Sequence, residues 1–270
     1  MEHEEVAAVN RAYWDALAAV HGEGRDAYYD LEALVAGRDS LSDAEDAAVG
    51  DVAGLDVLHV QCHIGFDSVS LTRRGARVTG VDFSPASLAK ARAVAERSGV
   101  SVDFVQADAV ALPDTLSARF DVAYATIGVI CWIDDLRAWM RSVAGTLRPG
   151  GRLVLVEIHP LFNMIERLDP LALDFPYGGG EARRFDEDGS YADPDVHLAS
   201  TEQVSYAHSL GDVAGAALAA GLRIERLEEH MDAAFDPRGL LPGPEEDGRH
   251  RLRVDGELLP VLFTLVASRP

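Results

Sequence analysis

Three short stretches of the chain carry residue types that bind polar ligands: His59-Val-Gln-Cys-His-Ile-Gly65-Phe-Asp67, Asp82-Phe83-Ser84 and Gln106-Ala-Asp108-Ala109. Each follows a short apolar run that reads as a β-strand. In open α/β sheets ligands lie beyond the carboxyl ends of the strands, so all three stretches stand where chemistry belongs. Asp82 falls about 20 residues past the first loop, a spacing at which a strand-end carboxylate accepts both hydroxyls of a ribose. The other reading of Asp82 is an acid favoured by the positive end of the following helix. Asp108 also has two readings. Its carboxylate can accept the exocyclic amine of adenine, with Ala109 supplying a backbone contact, or it can be an ordinary turn aspartate. The first loop keeps a single glycine, Gly65, which a structural turn explains equally well. A dinucleotide needs several glycines, because backbone must approach a pyrophosphate at a helix N-terminus. The loop therefore speaks against NAD or FAD and tolerates a ligand without phosphate.

The surrounding sequence supplies the elements that must position these residues. Apolar runs at 57–62, 77–81, 102–106, 120–126 and 152–158 read as strands. Helical patterns at 67–74, 85–98 and 134–147 lie between them. Gly75 stops the first of these helices, Ser84 and Pro85 start the second, and Arg-Pro-Gly-Gly closes the third. Such alternation implies parallel strands with right-handed crossovers. The expected fold class is α/β: a Rossmann-like three-layer sandwich on a seven-stranded, mostly parallel sheet with an antiparallel last strand. Residues 1–53 read as an N-terminal helical cap, with Val6, Val9, Tyr13 and Leu17 at helical spacing. Residues 54–160 form the ligand-binding half of a single domain, and 160–207 an inserted lid. Residues 208–270 complete the sheet with a helix at 210–220 and strands at 223–228 and 259–267.

Taken together, the motifs resemble the class I S-adenosylmethionine-dependent methyltransferases. The resemblance covers roughly residues 54–160 through Val57-Leu-His-Val-Gln-Cys-His-Ile-Gly65, Val78-Thr-Gly-Val-Asp-Phe-Ser84, Gln106-Ala-Asp-Ala109, Phe120-Asp-Val-Ala-Tyr124 and Leu147-Arg-Pro-Gly-Gly151. Gln-Cys-His-x-Gly looks like a bacterial small-molecule subgroup's version of the loop. That likeness extends to Glu157-Ile-His-Pro160, Ser190-Tyr-Ala-Asp-Pro194 and His208-Ser-Leu-Gly211. The resemblance implies S-adenosyl-L-methionine as cofactor, S-adenosyl-L-homocysteine as product and no metal. It assigns the methionine part to Gln61, His63, Gly65, Thr126 and Ile127, the ribose to Asp82 with Phe83, and adenine to Asp108 with Ala109. Trp14, on the N-terminal helix with Asn10 and Tyr13, would close over the cofactor; for Tyr13 core packing is the alternative. The chain departs from the family's pattern at His59, which stands in place of an acid that helps hold the cofactor's ammonium group indirectly. It departs again at Gln61 and His63, which stand in place of glycines.

The implied reaction is in-line methyl transfer to O or N of a small-molecule acceptor, of secondary-metabolite type in one reading. Alternatives are a protein methyltransferase and a non-catalytic or regulatory protein of the same fold. Aligning donor and acceptor and excluding water supplies much of the rate. An oxygen acceptor usually wants a general base, and His208 and His159 are the candidates, with His230 a third. Each also reads as a capping or loop histidine. Phe162, Phe175, Tyr177, Phe185 and Tyr191 of the insertion are expected to form the acceptor pocket with the N-terminal helix. Deleting 165–200 should then abolish turnover while sparing cofactor affinity.

With 24 basic and 45 acidic residues the net charge is −21, which repels phosphate backbones and anionic lipid, so nucleic acid and membranes are not expected as partners. Cys62 and Cys131 read as small buried hydrophobes without a disulfide framework. Asp186, Asp188, Asp193 and Asp195 lack calcium-loop spacing. No signal peptide or membrane span is read, so a cytoplasmic monomer or homodimer is expected.

Overall fold

The computed structural model describes residues 3–23, 28–193 and 195–270; Pro194, the last residue of the Ser190–Pro194 motif, lies outside them. In chain order the elements begin with helices α1 (His3–Val20), α2 (Leu31–Val35) and α3 (Asp43–Val49). The alternating part follows: β1 (Asp56–Val60), α4 (Phe66–Arg73), β2 (Arg77–Asp82), α5 (Pro85–Arg97), β3 (Asp103–Gln106), β4 (Phe120–Thr126), α6 (Leu136–Thr146) and β5 (Leu147–Ile158). The insertion holds α7 (Pro160–Asn163) and strands β6 (Ile165–Leu168), β7 (Leu171–Leu173), β8 (Ala182–Asp186) and β9 (Glu202–Tyr206). The chain then runs through α8 (Leu210–Ala219), β10 (Arg223–His230), β11 (Leu252–Val254), β12 (Glu257–Leu259) and β13 (Leu262–Ser268).

The main sheet has seven strands in the order β10-β13-β5-β4-β1-β2-β3. β13 pairs antiparallel with both β5 and β10, while β5, β4, β1, β2 and β3 pair parallel. This is the expected α/β architecture with its antiparallel last strand.

Burial explains why these runs are strands. Alternate residues feed opposite cores: Leu58, Ala123, Leu153 and Leu155 join Trp139 and Met140 on one face. Val57, Val122, Val154 and Val156 join Val49 and Leu71 on the other. A period of two with both faces covered is what a central parallel strand requires. α6 turns Leu136, Trp139, Met140 and Val143 inward at helical spacing, and Asp135 caps it by accepting the Ala138 N–H at 2.8 Å. Ser84 caps α5 the same way at 2.9 Å, with Pro85 in the first turn.

Two expected boundaries move. β5 starts at Leu147, so α6 stops at Thr146. The expected strand at 259–267 is instead β13 from Leu262, preceded by a separate hairpin, β11–β12. Pro260 has no N–H to give the ladder, so the chain leaves one pairing and enters another around it.

The insertion is two small hairpins, β6–β7 and β8–β9, outside the main sheet. β9 packs on α1, where Asn10 accepts the Val204 N–H at 2.8 Å and donates to the Val204 carbonyl at 2.9 Å. A buried side-chain amide thereby fastens α1 to the hairpin over the carboxyl edge of the sheet.

Candidate functional site

A cavity of about 330 Å³ opens at that edge, within the range of small-molecule sites. All ten residues assigned to the cofactor by resemblance line it: Trp14, Gln61, His63, Gly65, Asp82, Phe83, Asp108, Ala109, Thr126 and Ile127. Nine come from the ends of β1, β2, β3 and β4, where the sheet topology gathers them, and Trp14 comes from α1.

The first loop adopts an unusual backbone. Gly65 lies at φ +78°, and a Cβ there would meet the Ala91 Cβ at 3.0 Å and the Phe104 ring at 3.2 Å. Gln61 and His63 also sit in the left-handed region, at φ 56° and 47°, where side chains are disfavoured. Their side chains are tied down in return. Gln61 accepts the Trp139 indole N–H at 2.9 Å and donates to the Val129 carbonyl at 3.1 Å. The His63 ring is 2.7 Å from the His21 ring and 3.1 Å from Ser87 Oγ, and His21 continues to Ser190 Oγ at 2.7 Å. Burial holds the His63 ring well below the usual imidazole range, with His21 and Lys90 adding to it. The loop keeps its glycine-type turns by side-chain anchorage.

Asp82 is buried, and its two oxygens accept the His63 N–H and the Ser84 N–H, both at 2.9 Å. Burial pushes its carboxyl up to about 6, against the pull of the backbone N–H groups of Ser84, His63 and Phe83. It is therefore ionised at neutral pH, fixed from behind, with lone pairs left for a ligand's hydroxyls. Asp108 caps a short 3-10 turn by accepting the Val110 N–H at 3.0 Å. Its other oxygen lies 3.0 Å from the ring of His3, which also reaches Asp134 at 2.8 Å. Burial lowers the His3 pKa, but the bonds to Asp134 and Asp108 outweigh it and raise it. His3 and Asp134 line the cavity too and were not expected from the sequence. The signal was slight: one histidine in an acidic helix N-terminus.

The histidines named as bases are elsewhere. His208 does not line the cavity, and its Nε2 is 2.7 Å from the Ile133 carbonyl. His159 caps α7, with Nδ1 accepting the Leu161 N–H at 3.1 Å and Nε2 lying 3.0 Å from Glu229. His230 lies 2.8 Å from Thr264 Oγ1 in the sheet edge. Burial lowers all three, and none reaches the cavity. As candidates for a base they are replaced by structural roles, because a base must touch the proton it takes.

The expected aromatic pocket is also differently composed. Of the five insertion aromatics only Tyr191 lines the cavity. Phe162 is buried in a satellite core with Ile165 and Leu252, Phe175 pairs with Phe185, and Tyr177 is exposed. The wall is completed by Tyr28, Tyr29, Phe235 and Trp132. Tyr29 and Tyr191 share a hydroxyl–hydroxyl bond of 2.6 Å, and Tyr28 stacks edge-on against Phe235 at 5.3 Å. Because β8–β9 also clamps α1, deleting 165–200 would disturb Trp14 and His3 as well as the aromatic wall. The clean separation expected of that deletion is lost.

Among the described residues no group of three or more His, Cys, Asp or Glu could hold a metal ion, and no helix is long and apolar enough to cross a membrane. Residues 57–151 match a methyltransferase domain family. The fold is that of the S-adenosylmethionine-dependent methyltransferases. A methyltransferase structure from Mesorhizobium loti superposes with a TM-score of 0.58 at 20% identity, covering 87% of this chain and 100% of that one. A magnesium protoporphyrin IX methyltransferase from Synechocystis, solved with bound S-adenosylhomocysteine, gives 0.55 at 17%, over 99% and 98%. In sequence, a ubiquinone biosynthesis O-methyltransferase of Pseudomonas paraeruginosa is 34% identical over 108 residues, 40% of this chain. That match spans 46% of the relative, so the chain covers about half the length of the curated relatives it matches.

Proposed function

We propose that the chain is an S-adenosylmethionine-dependent methyltransferase acting on an oxygen or nitrogen of a small-molecule acceptor. One observation carries the reading. Two carboxylates at successive strand ends, Asp82 and Asp108, face one cavity beside a left-handed loop at Gly65. Asp82, held by backbone N–H groups, presents an anion to the ribose hydroxyls, and Asp108 accepts the adenine amine. A loop with a single glycine and no phosphate cradle fits a sulfonium nucleoside better than a dinucleotide.

When bound, the cofactor supplies a methyl group on a sulfonium, ready for in-line displacement. The chain's own contribution is position and dryness. Trp14, Trp132 and the Tyr28, Tyr29, Tyr191 and Phe235 wall exclude water, and the same wall offers a planar acceptor its apolar surface. α1, fastened by Asn10 to β9, and Tyr191, beside the Ser190–His21 bond, form the cover. The relatives' names support an O-acceptor and the matched domain supports the transfer.

Calorimetry with S-adenosylhomocysteine and with NADH tests this reading. Binding of the sulfur nucleoside alone is the expected result. Folded protein that binds NADH and not S-adenosylhomocysteine would overturn it.

A further inference from the structure

The cavity also holds a second pair of acids. Glu45, on α3, is 6% exposed, and Asp67 is the second residue of α4; both line the cavity. The Tyr124 hydroxyl lies 3.3 Å from a carboxylate oxygen of each, so its single proton serves one at a time. Asp67 also accepts from Ser40 Oγ at 2.6 Å and Thr126 Oγ1 at 3.2 Å, and Glu45 accepts the Ser42 N–H at 2.6 Å.

Among the described residues no lysine or arginine pairs with either acid. The contrast within one helix is sharp: Asp43 pairs with Arg249 and Asp46 with Arg74, while Glu45 has no cation. Buried charges are normally paired, because the uncompensated ion costs heavily. Burial, then the facing Asp67, pushes Glu45 up to about 7. The other titratable groups around the pair are His59, Tyr124 and Tyr28, none of them a cation at neutral pH.

A second observation points the same way. His59, in β1, stands where the resembled family has an acid, and it lines the cavity at 5% exposure. Its Nδ1 is 2.8 Å from Ser68 Oγ, and its Nε2 has no hydrogen-bond partner among the described residues. Burial holds the ring down to about 4, so it is neutral. The wall beside Gly65 and Thr126 thus presents two carboxylates and one unpartnered polar nitrogen, and it lacks one positive charge.

We propose that Glu45 and Asp67 together bind the α-ammonium group of the ligand's amino-acid end, replacing the strand-one acid this chain lacks. The assignment rests on the methyltransferase reading. Asp67 follows Gly65 by two residues and bonds Thr126, the residue that ends β4. The acid therefore stands between the two elements that flank the amino-acid end in that reading.

The test uses two ligands that differ at that end. S-adenosylhomocysteine carries the ammonium, and 5′-methylthioadenosine has the same adenosine and a thioether without it. Calorimetry on the full chain should find Asp67→Asn and Glu45→Gln each weakened about tenfold or more for S-adenosylhomocysteine, as loss of a charge-assisted contact requires. Both variants should bind 5′-methylthioadenosine within about twofold of the unaltered chain, which also reports that they are folded. Unchanged affinity for S-adenosylhomocysteine, or equal loss for both ligands, would overturn the assignment. Failure of the unaltered chain to bind either ligand would instead overturn the cofactor reading beneath it.

Discussion

Two walls of the cavity are built by different means. On one, Asp82 and Asp108 are fixed by backbone N–H groups: Ser84 and Val110 in their own turns, and for Asp82 also His63 in the neighbouring strand-end loop. On the other, contacts of Tyr28, Tyr29, Tyr191 and Phe235 include ring packing and a hydroxyl pair between distant segments. Backbone-held carboxylates are rigid and belong to the fold, so their ligand contacts survive changes elsewhere. Ring packing between loops can be exchanged without disturbing the sheet. Under the proposed function, the first is the fixed nucleoside wall and the second the adjustable acceptor wall.

That contrast breaks most readily at Asp82. Asp82→Ala should weaken S-adenosylhomocysteine binding by about 1–3 kcal/mol in calorimetry, the worth of charge-assisted hydrogen bonds. An unchanged affinity would put the ribose elsewhere. On the other wall, Tyr191→Ala or Phe235→Ala should lower kcat/KM for an acceptor by about tenfold, from lost packing and water exclusion, with cofactor affinity nearly unchanged. Equal losses in both measurements would mean that the two walls are one cooperative unit.

An effect on stability is expected at the loop between them. Gly65→Ala places a Cβ at 3.0 Å from Ala91 in left-handed backbone and should cost about 1–2 kcal/mol in chemical denaturation. No loss would show that the helix behind the loop yields freely.

A further effect is a pH dependence. The folded chain holds Glu45 at about 7 against its ordinary 4.5, so it binds a proton there that the unfolded chain has released. Without ligand, the unaltered chain should lose stability relative to Glu45→Gln as pH rises from about 4.5 to 7. Parallel melting curves for the two across that window would contradict an uncompensated buried acid.

The legibility of the two walls in the sequence follows from the same physics. Strand ends and caps are local, so Asp82, Asp108, Ser84 and the seven-stranded sheet could be read from apolar periodicity and turn residues. Gln61 and His63 were legible as departures from glycine, but their positive φ and their anchors on Trp139 and His21 depend on tertiary contacts. The aromatic wall was legible only at Tyr191, because Tyr28, Tyr29 and Phe235 lie in loops without periodicity and meet only after folding. His159 and His208 carried the right chemistry in the wrong places: a side chain's type does not say which neighbour it caps. The pairing of Glu45 with Asp67 was invisible for the same reason, since α3 reads as one more acidic surface helix.

The most direct test of the central claim is calorimetric titration of the unaltered chain with S-adenosylhomocysteine, alongside NADH. Saturable binding of the first, weakened in Asp82→Ala, and no heat from the second are the expected results. Folded protein that gives no binding of S-adenosylhomocysteine would contradict that claim.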